Sequence, residues 1–368
     1  MRKILLVYYE PIPSGQTTHV LSLARGLDPT RYDVTVALPD VLPTCADDFR
    51  QAGAKVVPLS MSRVRWKFQA IQTLARMVRR EQYDIVHIHS QEAGVVARVV
   101  CWLAGARRIF YTPQTIDIRR KLLQPLYQVA EVLLSNLTTC ILSVNQADRE
   151  RLISWGINSR KVVTLPNGLD LQYFRSTQAA VALRRSMNIP EEGPLVMQVG
   201  RLAQQKDPAA FVRGAQQVLR VHPGAYFVMV GEGPLQAEIN TLICQERLSD
   251  RIRLLGRQPD AYQLIDAADV VTLTSLWEGT PYSIMEAMAW RKPVVVTAVN
   301  GCRELVVDGQ TGFVVESGDS AAWAGRVSLL LDDEALRAQM GESGYQRVRE
   351  YYSVDHMIAT LEKLYQGE

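Results

Sequence analysis

The sequence predicts an α/β protein of two doubly wound domains, each a parallel sheet covered by helices on both faces. Two observations carry that expectation. Short runs of β-branched and aliphatic residues, continuous rather than alternating, recur between longer stretches of helical periodicity, which is the pattern of strands buried on both faces. They fall into two series, and 368 residues is two domains' worth at roughly 150 residues each.

The first series comprises Ile4–Tyr8, Asp33–Leu38, Lys55–Leu59, Ile85–His89, Ile109–Thr112, Cys140–Val144 and Val162–Leu165. The second comprises Leu195–Val199, Tyr226–Val230, Ile252–Leu255, Val270–Thr274, Pro293–Thr297 and Phe313–Val315. Pro166-Asn167-Gly168 is a turn-rich break, and Leu169–Asn188 reads as the connector that follows it. The domains are therefore expected over 1–172 and 173–352. The remaining 353–368 carries Val354, Met357, Ile358, Leu361 and Leu364 at helical spacing and is expected to pack back on the first domain as a closing helix.

Composition excludes several classes. With 47% hydrophobic and 21% charged residues the chain is neither fibrous nor disordered. A net charge of +3 is too small to mark a nucleic-acid binder, but it conceals an asymmetry: residues 1–172 hold 22 Lys and Arg against 14 Asp and Glu, and the remainder 19 against 24. Two halves of opposite charge suggest different partners. Five scattered Cys with no CxxC pattern indicate neither a disulfide framework nor a zinc cluster, so a reducing, cytoplasmic setting is expected. Met1-Arg2-Lys3 precedes an apolar run too short for a signal peptide. The longest apolar stretches, around Gly94–Gly105 and Val129–Val144, are broken by Arg98 and by Glu131 and Asn136, so no membrane span is expected.

In open parallel sheets ligands sit beyond the carboxyl ends of the strands, so the loops there are the places to look. After Val199 comes Gly200-Arg201-Leu202-Ala203-Gln204-Gln205-Lys206-Asp207-Pro208. Asp207 reads as an N-cap and Pro208 as the first helical residue, which puts Arg201 and Lys206 beside a helix mouth. They suit a diphosphate, Arg as a planar fork and Lys as a point charge, although two solvated surface cations would look the same in sequence. After Thr274, Pro281 can open a helix, with Glu278 in the loop and Glu286 among Ile284, Met285, Ala287 and Met288. A carboxylate in such surroundings needs a partner. That partner is either a ribose diol, with the amides of Tyr282 and Ser283 free to hold a phosphate, or a buried Lys or Arg. At the front, Gly15 opens a helical run containing His19 and lets amides approach an anion. Gly231-Glu232-Gly233-Pro234 reads as a turn that starts the helix Leu235–Glu246. His87 and His89 share a strand face, but no further ligand lies near them in sequence, and there is no Asp-x-Asp, so no metal site is expected. Arg63–Gln82 sets Val64, Phe68, Ile71, Ala75 and Val78 on one stripe amid arginines. That pattern serves either ordinary packing or attraction to an anionic leaflet.

Taken together these segments resemble the GT-B glycosyltransferases of the retaining Glu-x7-Glu group, the family 4-like "group 1" enzymes. The resemblance rests on Asp84–His89, Pro166-Asn167-Gly168-Leu169-Asp170, Gly200-Arg201-Leu202 with Lys206, Gly231–Pro234, Glu278-Gly279 with Pro281 and Glu286, and Gly301 with Glu304, Asp308-Gly309 and Gly312. It implies two Rossmann-like domains facing a cleft, with a nucleoside-diphosphate sugar on the carboxyl-terminal one. Arg201 and Lys206 would grip the diphosphate, Glu278 would contact donor-sugar hydroxyls, and Glu286 the ribose. Backbone near Gly256 and Arg257 would meet the base, and Gly15 the diphosphate. No metal or other cofactor is implied. The acceptor, a glycan or lipid-linked molecule, would belong to the amino-terminal domain, with His19 and Asp117 on its side. Cell-envelope or exopolysaccharide synthesis would be the setting, at the inner face of the membrane.

One departure stands out. Tyr111-Thr112-Pro113-Gln114 has Gln114 where many relatives carry a His lining the donor sugar, and an amide can hydrogen-bond but cannot act as acid or base. It motivates one rival reading, a catalytically silent GT-B binding or scaffold subunit; a second rival, a GT-B sugar-nucleotide epimerase, would call for cleft carboxylates and histidines that the sequence does not place.

Overall fold

The computed structural model describes residues 1–9, 14–40, 43–62, 65–116, 124–174 and 180–367. It divides into two units, Met1–Gly168 with Val354–Glu368, and Leu169–Ser353.

The first unit contains β1 (Arg2–Val7), β2 (Tyr32–Pro39), β3 (Lys55–Leu59), a small hairpin of β4 (Met61–Ser62) and β5 (Arg65–Trp66), then β6 (Ile85–His89), β7 (Ile109–Thr112), β8 (Cys140–Ser143) and β9 (Val162–Thr164). Apart from the hairpin these form one parallel sheet in the order β3-β2-β1-β6-β7-β8-β9. Along β1, Ile4 and Leu6 enter one core while Leu5 and Val7 enter the other. Burial on both faces is why the run is apolar without alternation.

The second unit contains β10 (Leu195–Val199), β11 (Tyr226–Val230), β12 (Ile252–Leu254), β13 (Val270–Leu273), β14 (Val294–Thr297) and β15 (Gly312–Val315), in the order β12-β11-β10-β13-β14-β15, again all parallel. Leu195 and Met197 face one core and Val196 the other. In both sheets the first strand lies inside, flanked by the second strand on one side and a later one on the other. The winding reverses there, so β1/β6 and β10/β13 are the switch points at whose carboxyl ends a ligand crevice opens.

Three details differ from expectation. Leu169 belongs to the second unit, four residues before the expected boundary, because its N–H donates to the Tyr352 carbonyl at 2.8 Å. The helix expected over Arg63–Gln82 begins only at Phe68, since Arg65–Trp66 pair with Met61–Ser62. Its buried stripe is Ala70, Leu74 and Val78, while Phe68 is 72% exposed; Val64 lies outside the described residues. The closing helix, Val354–Gln366, buries Met357, Leu361 and Tyr365 in the first unit's core, and Arg2 and Arg108 each donate to the Tyr365 carbonyl at 2.6 Å.

Helices Gln91–Leu103 and Gln124–Ser135 of the first unit pack against each other. The charges that interrupt these two apolar segments meet inside: Arg98 Nη2 lies 2.6 Å from Glu131 Oε1, and both side chains are 0% exposed. Arg98 Nε also donates to the Gly94 carbonyl at 2.7 Å, and its guanidinium lies 4.0 Å from the centre of the Tyr111 ring. Among the described residues no helix is long and apolar enough to cross a membrane. Removing one member of a buried ion pair strands the other, so Glu131→Ala should cost about 3–5 kcal/mol. Urea unfolding should show a lowered midpoint with an unchanged slope.

Candidate active site

In the second unit the site forms where the sheet topology requires it, at the carboxyl ends of β10 and β13. The chain leaves β10 through Gly200 and Arg201, makes a single 3-10 turn over Gln204–Lys206, and enters the helix Pro208–Val221. Asp207 caps that helix: its side chain accepts from the Ala210 N–H at 3.2 Å, and its own backbone is left-handed at φ 38°. The loop after β13 runs alongside. Thr274 Oγ1 lies 2.9 Å from both the Lys206 and Asp207 carbonyls, the Leu276 N–H donates to the Gln205 carbonyl at 2.8 Å, and Gln205 Nε2 donates to the Trp277 carbonyl at 3.0 Å. Two loops some seventy residues apart in sequence are thereby laced into one surface.

At its centre Lys206 Nζ lies 2.5 Å from Glu278 Oε1, which also accepts from Ser275 Oγ at 2.6 Å. Both charged side chains are largely buried, 15% and 7% exposed. Cys302 is buried against the pair, its thiol pushed well up by burial and by the Glu278 charge, with Lys206 opposing. The Arg201 side chain, by contrast, is exposed and has no hydrogen bond or ion pair among the described residues. The two cations that the sequence sets beside one helix mouth thus differ: one is fixed by a carboxylate and the other is free to meet an anion.

Glu286 lies on the helix Tyr282–Ala289, with Pro281 as the N-cap rather than the first helical residue. Tyr282 and Ser283 occupy its first two positions. Glu286 is half-buried and its side chain has neither a hydrogen-bond nor an ion-pair partner among the described residues, so the Lys or Arg partner considered from sequence is not among them. Burial pushes its carboxyl up to about 7, and the Tyr282 phenol is raised by burial and by Glu286.

Sequence reasoning read Gly231–Pro234 only as a helix start, and the structure gives it more to do. The Gly200 N–H donates to the Val230 carbonyl at 2.9 Å, the Leu202 N–H to the Glu232 carbonyl at 3.1 Å, and the Leu235 N–H to the Leu202 carbonyl at 2.9 Å. The turn therefore forms a wall for the Arg201 loop, and the helix after it runs Gln236–Gln245. Gly231 has φ 141°, and a Cβ there would lie 2.1 Å from the Gly200 carbonyl oxygen. The available signal was a Gly-x-Gly directly after a strand. Gly256, left-handed at φ 65°, accepts at its carbonyl from the Gly231 N–H at 2.8 Å, and Arg257 beside it is exposed.

The first unit has its own polar cluster at the carboxyl ends of β1, β6 and β7. Gly15 is the first residue of the helix Gly15–Gly26, whose cap is a reciprocal box between Ser14 and Thr17. His19 is buried edge-on against His89 at 5.2 Å, and His89 lies 4.0 Å from His87, centre to centre. Burial lowers His19 to about 4, with Asn167 opposing, and holds His87 and His89 well below the usual histidine range, so all three are neutral at pH 7. His87 Nδ1 and Nε2 are occupied by the Tyr365 hydroxyl at 2.6 Å and Thr112 Oγ1 at 2.8 Å. The described residues contain no group of three or more His, Cys, Asp or Glu able to hold a metal. Gln114 is left-handed at φ 68°, a strained conformation for a residue with a Cβ, and its Nε2 is buried without a hydrogen-bond partner. Asp117 lies outside the described residues.

The Glu278 loop also depends on a close backbone approach. A Cβ on Gly301, in the helix Asn300–Leu305, would fall 1.4 Å from the Gly279 carbonyl oxygen. Gly301→Ala must displace one of the two, which should cost about 1–3 kcal/mol, as overpacking does. Calorimetry should therefore show a lowered melting temperature for this variant.

Comparison with known proteins gives the family and the fold. The model of Glycosyltransferase Family 4 matches residues 13–173, and that of Glycosyl transferases group 1 matches residues 181–347. The UDP-Gal:α-D-GlcNAc-diphosphoundecaprenol α-1,3-galactosyltransferase of Escherichia coli is 27% identical over 305 residues, covering 81% of this chain and 79% of its own. The N-acetyl-α-D-glucosaminyl L-malate synthase of Bacillus anthracis is 25% identical over 309 residues, covering 79% and 77%. A crystal structure of HepE from Anabaena in complex with UDP and glucose superposes with a TM-score of 0.87 over all of both chains at 21% identity, a likeness of fold. With both halves matched and the GT-B fold shared, the chain belongs to the family 4-like group 1 glycosyltransferases.

Proposed function

We propose that this protein is a retaining, metal-independent glycosyltransferase that moves a sugar from a nucleoside diphosphate to a glycan or lipid-linked acceptor in cell-envelope or exopolysaccharide synthesis. The observation that carries the reading is Glu286, a half-buried carboxylate whose side chain has no partner among the described residues, on the helix that follows the Glu278 loop. A ribose diol supplies two hydroxyl donors to it and relieves its desolvation. The acceptor class is drawn from the diphosphoundecaprenol-linked sugar in the name of the Escherichia coli relative.

Arg201 and Lys206 hold the diphosphate and offset the charge that grows on it as the glycosidic C–O bond breaks, the role a divalent ion would otherwise take. Glu278, steadied by Lys206 and Ser275, hydrogen-bonds donor-sugar hydroxyls. Amides near Gly256 and Arg257 meet the base, and those of Tyr282 and Ser283 a phosphate oxygen. The acceptor oxygen bonds to the anomeric carbon on the face the diphosphate leaves, and its proton passes to the leaving phosphate oxygen. No side-chain base is needed, so Gln114 is compatible with turnover. Gln114, Gly15 and His19 remain the first unit's contribution to substrate binding.

The test is incubation with UDP-, GDP- and ADP-sugars, following released nucleotide with and without prenyl-diphosphate-linked acceptors. Turnover that survives EDTA and yields a product of the donor's anomeric configuration is expected. Nucleotide binding without turnover on any donor would favour the silent subunit, and isomerised sugar nucleotide the epimerase. Arg201→Ala should weaken nucleoside-diphosphate binding by about 1–3 kcal/mol with no change in melting temperature, through lost charged hydrogen bonds. Lys206→Ala should weaken binding similarly and also lower the melting temperature, because it strands Glu278. Glu286 adds a pH signature. A diol's two hydroxyls donate more strongly to the ionised carboxylate, both of whose oxygens accept, so nucleotide affinity should rise as pH climbs through about 7 and should be lower and flat across that range in Glu286→Gln. Stability runs the other way: a carboxyl raised in the folded state loses stability as pH rises from its unfolded value through about 7, and Glu286→Gln should abolish that loss.

A further inference from the structure

We propose that Arg347, with the Tyr352 hydroxyl beside it, is a positioning residue for Glu278 and acts through the short helix Asn300–Leu305. That helix and the end of β14 before it back the Glu278 loop at three points. Gly301 lies so close to the Gly279 carbonyl oxygen that a Cβ would fall 1.4 Å from it, and Cys302 is buried against the Lys206–Glu278 pair. Thr297 Oγ1 donates to the Ser275 carbonyl at 2.5 Å, and Ser275 Oγ in turn donates to Glu278 Oε1 at 2.6 Å. The direction of the Glu278 carboxylate is therefore set by where this segment sits.

The helix cannot hold its own place. It has six residues, too few to persist without tertiary support, and Val299 at its N-cap supplies no side-chain bond. Its last carbonyls have no partners within the helix. They are met instead from helix Glu334–Tyr351 and its C-cap: Arg347 Nε donates to the Leu305 carbonyl at 2.8 Å, Arg347 Nη2 to the Glu304 carbonyl at 2.7 Å, and the Tyr352 hydroxyl to the same Glu304 carbonyl at 3.1 Å. A planar guanidinium thus spans two successive carbonyls and sets a cation at the negative end of the helix. Its own helix is a firm anchor. It packs against Tyr282–Ala289, and a Cβ on Gly341 would lie 2.0 Å from the Arg291 carbonyl oxygen. Gly301 and Cys302 are within a single turn of the capped carbonyls, so fraying that turn unseats the residues that touch the loop. The role rests on the glycosyltransferase reading above, in which Glu278 meets the donor sugar.

The experiment compares the full chain with Arg347→Met, Arg347→Lys and Tyr352→Phe, using the sugar nucleotide that the parent turns over and its nucleoside diphosphate. Arg347→Met should lower kcat/KM by about tenfold or more, through the loss of charged hydrogen bonds. The Kd of the nucleoside diphosphate, which Arg201 and Glu286 still meet, should move less than about threefold. Arg347→Lys keeps the cation but not the fork and should fall between; Tyr352→Phe removes one hydroxyl and should show the same split on a smaller scale. In a Glu278→Gln background, Arg347→Met should add no further loss, because a residue acting through Glu278 has nothing left to act on. Parent kcat/KM in Arg347→Met overturns the proposal. So does a loss of diphosphate affinity in step with kcat/KM, the mark of general loosening, or a full further loss in the Glu278→Gln background. A parent chain that binds no sugar nucleotide overturns the glycosyltransferase reading and this role with it, an outcome that the variants cannot mimic.

Discussion

A charge removed from water must be met by another charge or by a ligand, and the second unit is organised around that constraint at Lys206 and Glu278. The pair joins loops from β10 and β13 at 2.5 Å. Both loops are held in register by backbone-directed bonds from Thr274, Gln205 and the Leu276 amide. Their separation is set by the direct pairing of β10 with β13, which is where the winding reverses. The switch point therefore fixes where the two loops meet and where this ion pair forms. Glu286, one helix turn or more beyond, has no such partner and keeps a raised pKa. A buried carboxylate without a partner costs stability.

The same constraint explains the first unit. Arg98 and Glu131 neutralise each other inside, and the consequence appears on the outside, where two surface helices are left with leucines and a tryptophan facing solvent. Three neutral histidines and a strained Gln114 gather at the carboxyl ends of β1, β6 and β7. The unit thus buries histidines that are neutral and one ion pair whose charges cancel.

Much of this was legible in one dimension. Strands buried on both faces leave continuous apolar runs, and the observed strands fall within about two residues of the expected ones, as boundary fraying allows. Asp207-Pro208 announced a helix start because capping is a local interaction. The Arg65–Trp66 hairpin was not legible, since an arginine-rich amphipathic run reads as helix until its first residues find another strand. Nor was the packing of Gly231–Pro234 against the Arg201 loop, which depends on which strand lies next to which.

By itself the sequence determined two parallel α/β units, the cationic and carboxylate side chains at the strand ends, and, through motif order, the glycosyltransferase family. These follow from periodicity and capping, which act over a few residues. Only the tertiary structure decided that Lys206 pairs with Glu278 while, among the described residues, the Arg201 and Glu286 side chains have no ion-pair partner, and that the charges breaking two apolar segments cancel each other. Those outcomes depend on contacts between side chains tens of residues apart, and the strand order that brings such side chains together is set by packing rather than by any local preference.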